Sequence, residues 1–121
     1  MVERTILVVE DHAGIRESLL DLLRDEGYQA IGAANGTEAL RRLEVLRPAL
    51  ILLDLMMPGM NGAELSACLS KDPALATIPV VVVTASRQAP LDSGIHAVGW
   101  LQKPFAIEEL LAIVKKYIGD T

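Results

Sequence analysis

The sequence predicts one α/β domain built on a parallel β-sheet, and three observations lead there. Short runs rich in Val, Ile and Leu alternate with amphipathic stretches along the chain. The runs are apolar at successive positions rather than at every second one, so both faces of each strand need cover. The stretches between them are long enough to be helices, which supply that cover through right-handed crossovers.

Each element has its own signal. "TILVVE" (5–10) is β-branched and ends in acid, a first strand. "AGIRESLLDLLRDEG" (13–27) places Ile15, Leu19, Leu22 and Leu23 at helical spacing, and Gly27 closes the helix. "YQAIGAA" (28–34) reads as a second strand, weakened by Gly32 inside it. "NGTEALRRLEVLR" (35–47) aligns Leu40, Leu43 and Leu46 on one face, and Pro48 stops it. "ALILLD" (49–54) is a third strand, apolar on both faces until Asp54. "GAELSACLS" (62–70) is a short helix with Leu65, Cys68 and Leu69 inward, and "IPVVVVTA" (78–85) is the most β-branched strand. "SRQAPLDSG" (86–94) has no clear helical face. "AVGWLQ" (97–102) is the fifth strand. "AIEELLAIVKKYI" (106–118) is a final helix that buries Ile107, Leu110, Leu111, Val114 and Ile118.

Composition removes several classes of function. A chain of 121 residues, 51% hydrophobic, suits one domain over 1–121 with a real core. No apolar run approaches the roughly 20 residues of a membrane span. "MVERTILVVED" lacks the features of a secretory signal. The one cysteine, Cys68, cannot form an internal disulfide, which fits a reducing cytoplasm. The net charge is −5 and the basic residues cluster only as Arg41-Arg42 and Lys115-Lys116, so direct nucleic-acid binding is not expected. Lys115 and Lys116 read instead as a complement to a helix C-terminus.

In an open parallel sheet, ligands gather at the carboxyl ends of the strands. This sequence ends its strands in Glu10 and Asp11, Asp54, Thr84 and Lys103. Carboxylates crowded together repel unless a cation joins them, and hard oxygen ligands with room for water suit Mg²⁺, with Mn²⁺ as a substitute. No cluster of His or Cys accompanies them, which argues against zinc. His12 and His96 read as exposed or partly packed histidines rather than ligands. A cation, a lysine and a hydroxyl around one carboxylate are what phosphoryl transfer needs, with Asp54 as the nucleophile and an acyl phosphate as the product. Any one of these groups alone would mean little, and Asp11 could simply cap the first helix.

The stretches "ILVVEDH", "LILLDLMMPGMNG", "VVVVTAS" and "GWLQKPF" resemble, in order and over essentially the whole chain, the receiver domain of response regulators in two-component signalling. The resemblance implies a flavodoxin-like, doubly wound five-stranded sheet in the order 2-1-3-4-5. It implies that Asp54 is the phosphoacceptor and Asp11 a direct Mg²⁺ ligand. Glu10 would act on the ion largely through water, and the backbone carbonyl of Met56 would be the third protein ligand. It further implies that Thr84 and Lys103 contact the phosphoryl group, that Lys103-Pro104 is a cis peptide, and that Trp100 holds the position of a switching aromatic. A histidine kinase or histidine phosphotransfer protein would be the donor. A downstream protein or fused output domain would be the receiver of the signal, through a shifted two-state equilibrium.

Two departures from the family pattern stand out. Trp100 replaces the commoner Tyr or Phe, and it reads equally well as an edge-strand aromatic packed at a surface. The span from Thr84 to Trp100 is short by about one helical turn, roughly 3.6 residues, and Pro90, Ser93 and Gly94 are poor helix formers. The helix between strands four and five is therefore expected to be short or irregular. Met56 and Ser86 flank the acceptor at positions that tune dephosphorylation in the family. Neither offers a carboxylate or amide to orient water, so slow self-dephosphorylation is expected. Two other readings stay open. A phosphorylation-independent scaffold would be supported by segment 86–99 alone. An aspartyl-phosphate hydrolase of the haloacid-dehalogenase type would need a second Asp where Met56 stands.

Overall fold

The protein is described by a computed structural model, and its description covers residues 5–54, 62–84, 98–103 and 105–118. Five strands and four helices occur in these residues: β1 (Thr5–Val9), α1 (Ala13–Asp25), β2 (Gln29–Ala33), α2 (Gly36–Val45), β3 (Leu50–Asp54), α3 (Gly62–Lys71), β4 (Val80–Thr84), β5 (Gly99–Gln102) and α4 (Ile107–Ile118). The strands form one parallel sheet in the order β2-β1-β3-β4-β5. The expected irregular helix before β5 falls in residues 85–97, outside those described, as do Met56, Ser86, His96 and Pro104.

Alternation along the strands divides the core into two layers. Leu7, Val9, Ile51, Leu53, Val80 and Val82 pack on one face with Ala39 and Leu43 of α2 and Leu65 and Leu69 of α3. Ile6, Val8, Leu50, Leu52, Val81 and Val83 pack on the other with Leu20 and Leu23 of α1 and Leu110 and Val114 of α4. Each face is a stripe of side chains two residues apart, which is why the central strands read as unbroken apolar runs. Burying one such Leu or Ile side chain is worth about 1.5–3 kcal/mol.

The helix ends follow from local chemistry. Asn35 caps α2, its side chain accepting from the Glu38 amide at 2.8 Å. Gly27 takes φ 94° at the end of α1, and the amides of Gly27 and Tyr28 donate to Arg24 and Leu23 carbonyls, a Schellman closure that the L-residues around it would resist. The N-cap of α1 is His12, not Asp11: its Nδ1 accepts from the Ile15 amide at 3.2 Å. That sets aside the alternative in which Asp11 is only a helix cap, and leaves its carboxylate available at the rim. Two expected core residues are also displaced outward. Ile15 lies near the exposed start of α1 and Leu20 takes its place in the core, while Ile107 is 53% exposed in the first turn of α4. Both sit at helix starts, where the helix is only beginning to pass over the sheet.

Candidate functional site: an acidic crevice at the carboxyl edge of the sheet

Register brings the strand ends to one rim. Val9 pairs with Ala33 and with Leu53, Asp54 with Val83, and Thr84 with Gln102. Glu10 follows β1 directly, its amide donating to Ala33 O at 3.0 Å, so it extends the ladder by one residue. Lys103 does the same after β5, its amide donating to Thr84 O at 2.7 Å. These backbone bonds deliver residues distant in sequence to one crevice.

There, Glu10, Asp11 and Asp54 each present a carboxylate oxygen, and the three oxygens lie within 4.8 Å of one another. Glu10 is 3% exposed and Asp54 is 8% exposed, whereas Asp11 faces solvent. Lys103 Nζ lies 3.5 Å from Glu10 Oε2 and 3.7 Å from Asp54 Oδ2. One ammonium against three carboxylates leaves an excess of negative charge. Burial is the first cause that raises the Glu10 pKa from 4.5 to about 7. The hydrogen bond and charge of Asp54 add to it, Lys103 opposes, and Asp11 contributes a further rise. Near neutral pH the protonated fraction of Glu10 thus acts as a donor to Asp54, and a bound cation would take over that proton's work.

The donor set fits a hard divalent cation. It consists of carboxylates converging from one side, two of them buried, with solvent access past Asp11. Thr84 is 3% exposed at the end of β4. Trp100 lies lower on β5, opposite Val82, half-buried against the α2–α3 side of the core. The structure therefore brings together Glu10, Asp11, Asp54 and Lys103, sets Thr84 on the same rim, and leaves Trp100 below it. Sequence reasoning missed Arg16, whose NH1 donates to Glu10 O at 2.8 Å. The overlooked signal was Gly32, since a glycine inside a strand often marks a close approach.

Comparison with known proteins agrees with this fold. Residues 6–115 match the family model described as the response regulator receiver domain. The chain is 40% identical over 119 residues to the DNA-binding response regulator MtrA of Mycolicibacterium paratuberculosis, covering 94% of this chain and 51% of that protein. The chain thus spans about half the length of such relatives. It is 32% identical to the polar-differentiation response regulator DivK of Brucella anthropi, covering 97% of this chain and 98% of that one. Among solved structures, the receiver domain of a sensor histidine kinase from Pseudomonas aeruginosa, with a magnesium ion coordinated in its active-site cleft, superposes with a TM-score of 0.89 at 26% identity, over 98% of this chain and 100% of that one.

Proposed function

Because the chain belongs to the response regulator receiver domain family of two-component signalling, we propose that it is a phosphoacceptor switch in which Asp54 takes a phosphoryl group from a partner's phosphohistidine. The observation that carries the reading is the contact of one ammonium, Lys103, with both buried carboxylates, Glu10 and Asp54, beside the exposed Asp11.

The residues divide the work by position. An Asp54 oxygen forms the new bond to phosphorus as the phosphorus–nitrogen bond breaks, and the electron pair returns to the partner's imidazole. Lys103 exchanges its contact with the carboxylate for one with the phosphoryl oxygens. Glu10, Asp11 and Asp54, with the Met56 carbonyl, are the groups that would hold Mg²⁺. When bound, the ion neutralises charge on the transferring group. The Thr84 hydroxyl, at the rim, is the donor that would turn to the new phosphoryl group, and Trp100 would follow on β5. The added charge then biases two arrangements of the β5 side of the domain. Met56 and Ser86 supply no carboxylate or amide to orient water, which supports a long-lived acyl phosphate.

Residues 1–121 are read as one receiver domain acting in the cytoplasm. It acts either alone or joined to an output domain, and it takes its phosphoryl group from a histidine kinase or phosphotransfer protein. Among the described residues no helix is long and apolar enough to cross a membrane. The domain is a switch and not a turnover enzyme.

The deciding experiment incubates the protein and its Asp54→Asn variant with Mg²⁺ and a small acyl phosphate, followed by intact mass. A stable adduct present only in the unmutated chain supports the switch. Rapid release of phosphate would point to a hydrolase. A folded protein with no adduct would point to a phosphorylation-independent scaffold.

A further inference from the structure

Arg16 belongs to α1 but reaches back to the rim of the sheet. Its NH1 donates to Glu10 O at 2.8 Å, and its backbone amide donates to His12 O at 2.9 Å. One residue therefore holds the peptide carbonyls on both sides of Asp11. The side chain can take this path because β2 has a glycine beneath it. A Cβ on Gly32 would lie 3.0 Å from Arg16 Cδ and 3.2 Å from Arg16 Cγ. Ala33, the next residue of β2, accepts the Glu10 amide at 3.0 Å. The Glu10 main chain is thus gripped at its N–H by β2 and at its C=O by a guanidinium whose methylene stem lies over Gly32 of β2.

We infer that Arg16, seated on Gly32, is a positioning residue for the Glu10–Asp11 acid pair. The Glu10 carbonyl and the Asp11 amide share one peptide plane. Fixing that plane fixes the direction in which Asp11 leaves the strand, and so its spacing from Asp54. Asp11 is exposed and lies between β1 and α1, so packing does not place it. The inference rests on the proposed cation site, and it makes a prediction opposite in sign to simple charge. A guanidinium near a cation opposes that cation, so a purely electrostatic Arg16 would weaken Mg²⁺ binding and its removal would strengthen it. A positioning Arg16 does the reverse.

The test uses the full chain with Arg16→Met, which keeps an apolar stem, and Arg16→Lys, which keeps a donor. Mg²⁺ binding is read by calorimetry, and amide hydrogen exchange at Glu10 is read without metal. Arg16→Met is expected to weaken Mg²⁺ binding about tenfold, as outer-shell substitutions do, and Arg16→Lys to recover most of it. Exchange at the Glu10 amide, bonded to Ala33 O, is expected to accelerate about tenfold in Arg16→Met, reporting local opening. Mg²⁺ binding that is unchanged or tighter in Arg16→Met overturns the inference, and so does unchanged exchange. Equal losses in both variants that track a loss of folded protein overturn it as well. Absence of Mg²⁺ binding in the unmutated chain counts against the cation site instead, and the exchange measurement then decides the role of Arg16 by itself.

Discussion

Lys103 Nζ lies 3.7 Å from Asp54 Oδ2, within reach of the carboxylate that the sequence marks as acceptor. The same ammonium is 3.5 Å from Glu10, so its removal leaves two buried carboxylates facing each other without a cation. Lys103→Met is expected to tighten Mg²⁺ binding, because a competing positive charge is gone. The same change should slow adduct formation from a small acyl phosphate about tenfold or more, because the cation proposed to pair with the phosphoryl oxygens is gone. Calorimetry and intact mass on one preparation read both effects. Parallel loss of both would mean that Lys103 is structural.

Glu10 gives a pH dependence with a definite sign. Its folded pKa, about 7, lies above the usual 4.5. Between those values the folded chain binds more protons than the unfolded one. Metal-free stability therefore falls as pH rises through that window, by at most about 1.4 kcal/mol per pH unit. Mg²⁺ competes with the same proton, so its affinity rises over the same range and its stabilising effect is larger at pH 8 than at pH 5.5. Thermal unfolding at the two pH values, with and without Mg²⁺, checks this. Asp54→Asn should flatten the metal-free dependence by removing the main charged neighbour.

Thr84 tests the link between capture and response. Thr84→Ala should still form the adduct on Asp54 but lose much of the conformational change that follows. The chain has a single Trp, Trp100, half-buried on β5 next to β4, and its fluorescence is a direct probe. The unmutated protein is expected to change its emission on phosphorylation, and Thr84→Ala to change it by less than about half, if the hydroxyl couples site to strand. An equal change in both proteins would assign the coupling elsewhere.

Two helix ends should be measurable as stability. Gly27→Ala forces an L-residue into φ 94° and is expected to cost about 1–2 kcal/mol. Asn35→Ala removes the side-chain acceptor of the Glu38 amide and should cost about 1 kcal/mol. Denaturant unfolding reads both, and the two should add because the sites share no partner.

The alternation of elements was legible because parallel strands covered on both faces must be apolar throughout. β1, β3 and β4 are buried along their whole length. Asp54 and Lys103 were legible as charges at the ends of apolar runs. Helix faces were read less well. Periodicity gives the direction of an apolar stripe but not the point where a helix first meets the sheet, so Ile15 and Ile107 were placed inside and lie outside. The cap of α1 was not legible either: Asp11 stood only as one possible cap, and it is the backbone that presents His12 to the Ile15 amide.

By itself the sequence determined that Asp54 and Thr84 end apolar strands and that Glu10, Asp11 and Lys103 follow them, since residue type and local hydrophobic pattern need no partner to be read. Only the tertiary structure decided how they meet. The separation of Lys103 from Glu10 and Asp54, the raised pKa of Glu10 and the seat of Arg16 on Gly32 all depend on register between strands far apart in the chain. Register is set by packing two faces of one sheet at once, and no local stretch of sequence contains that information.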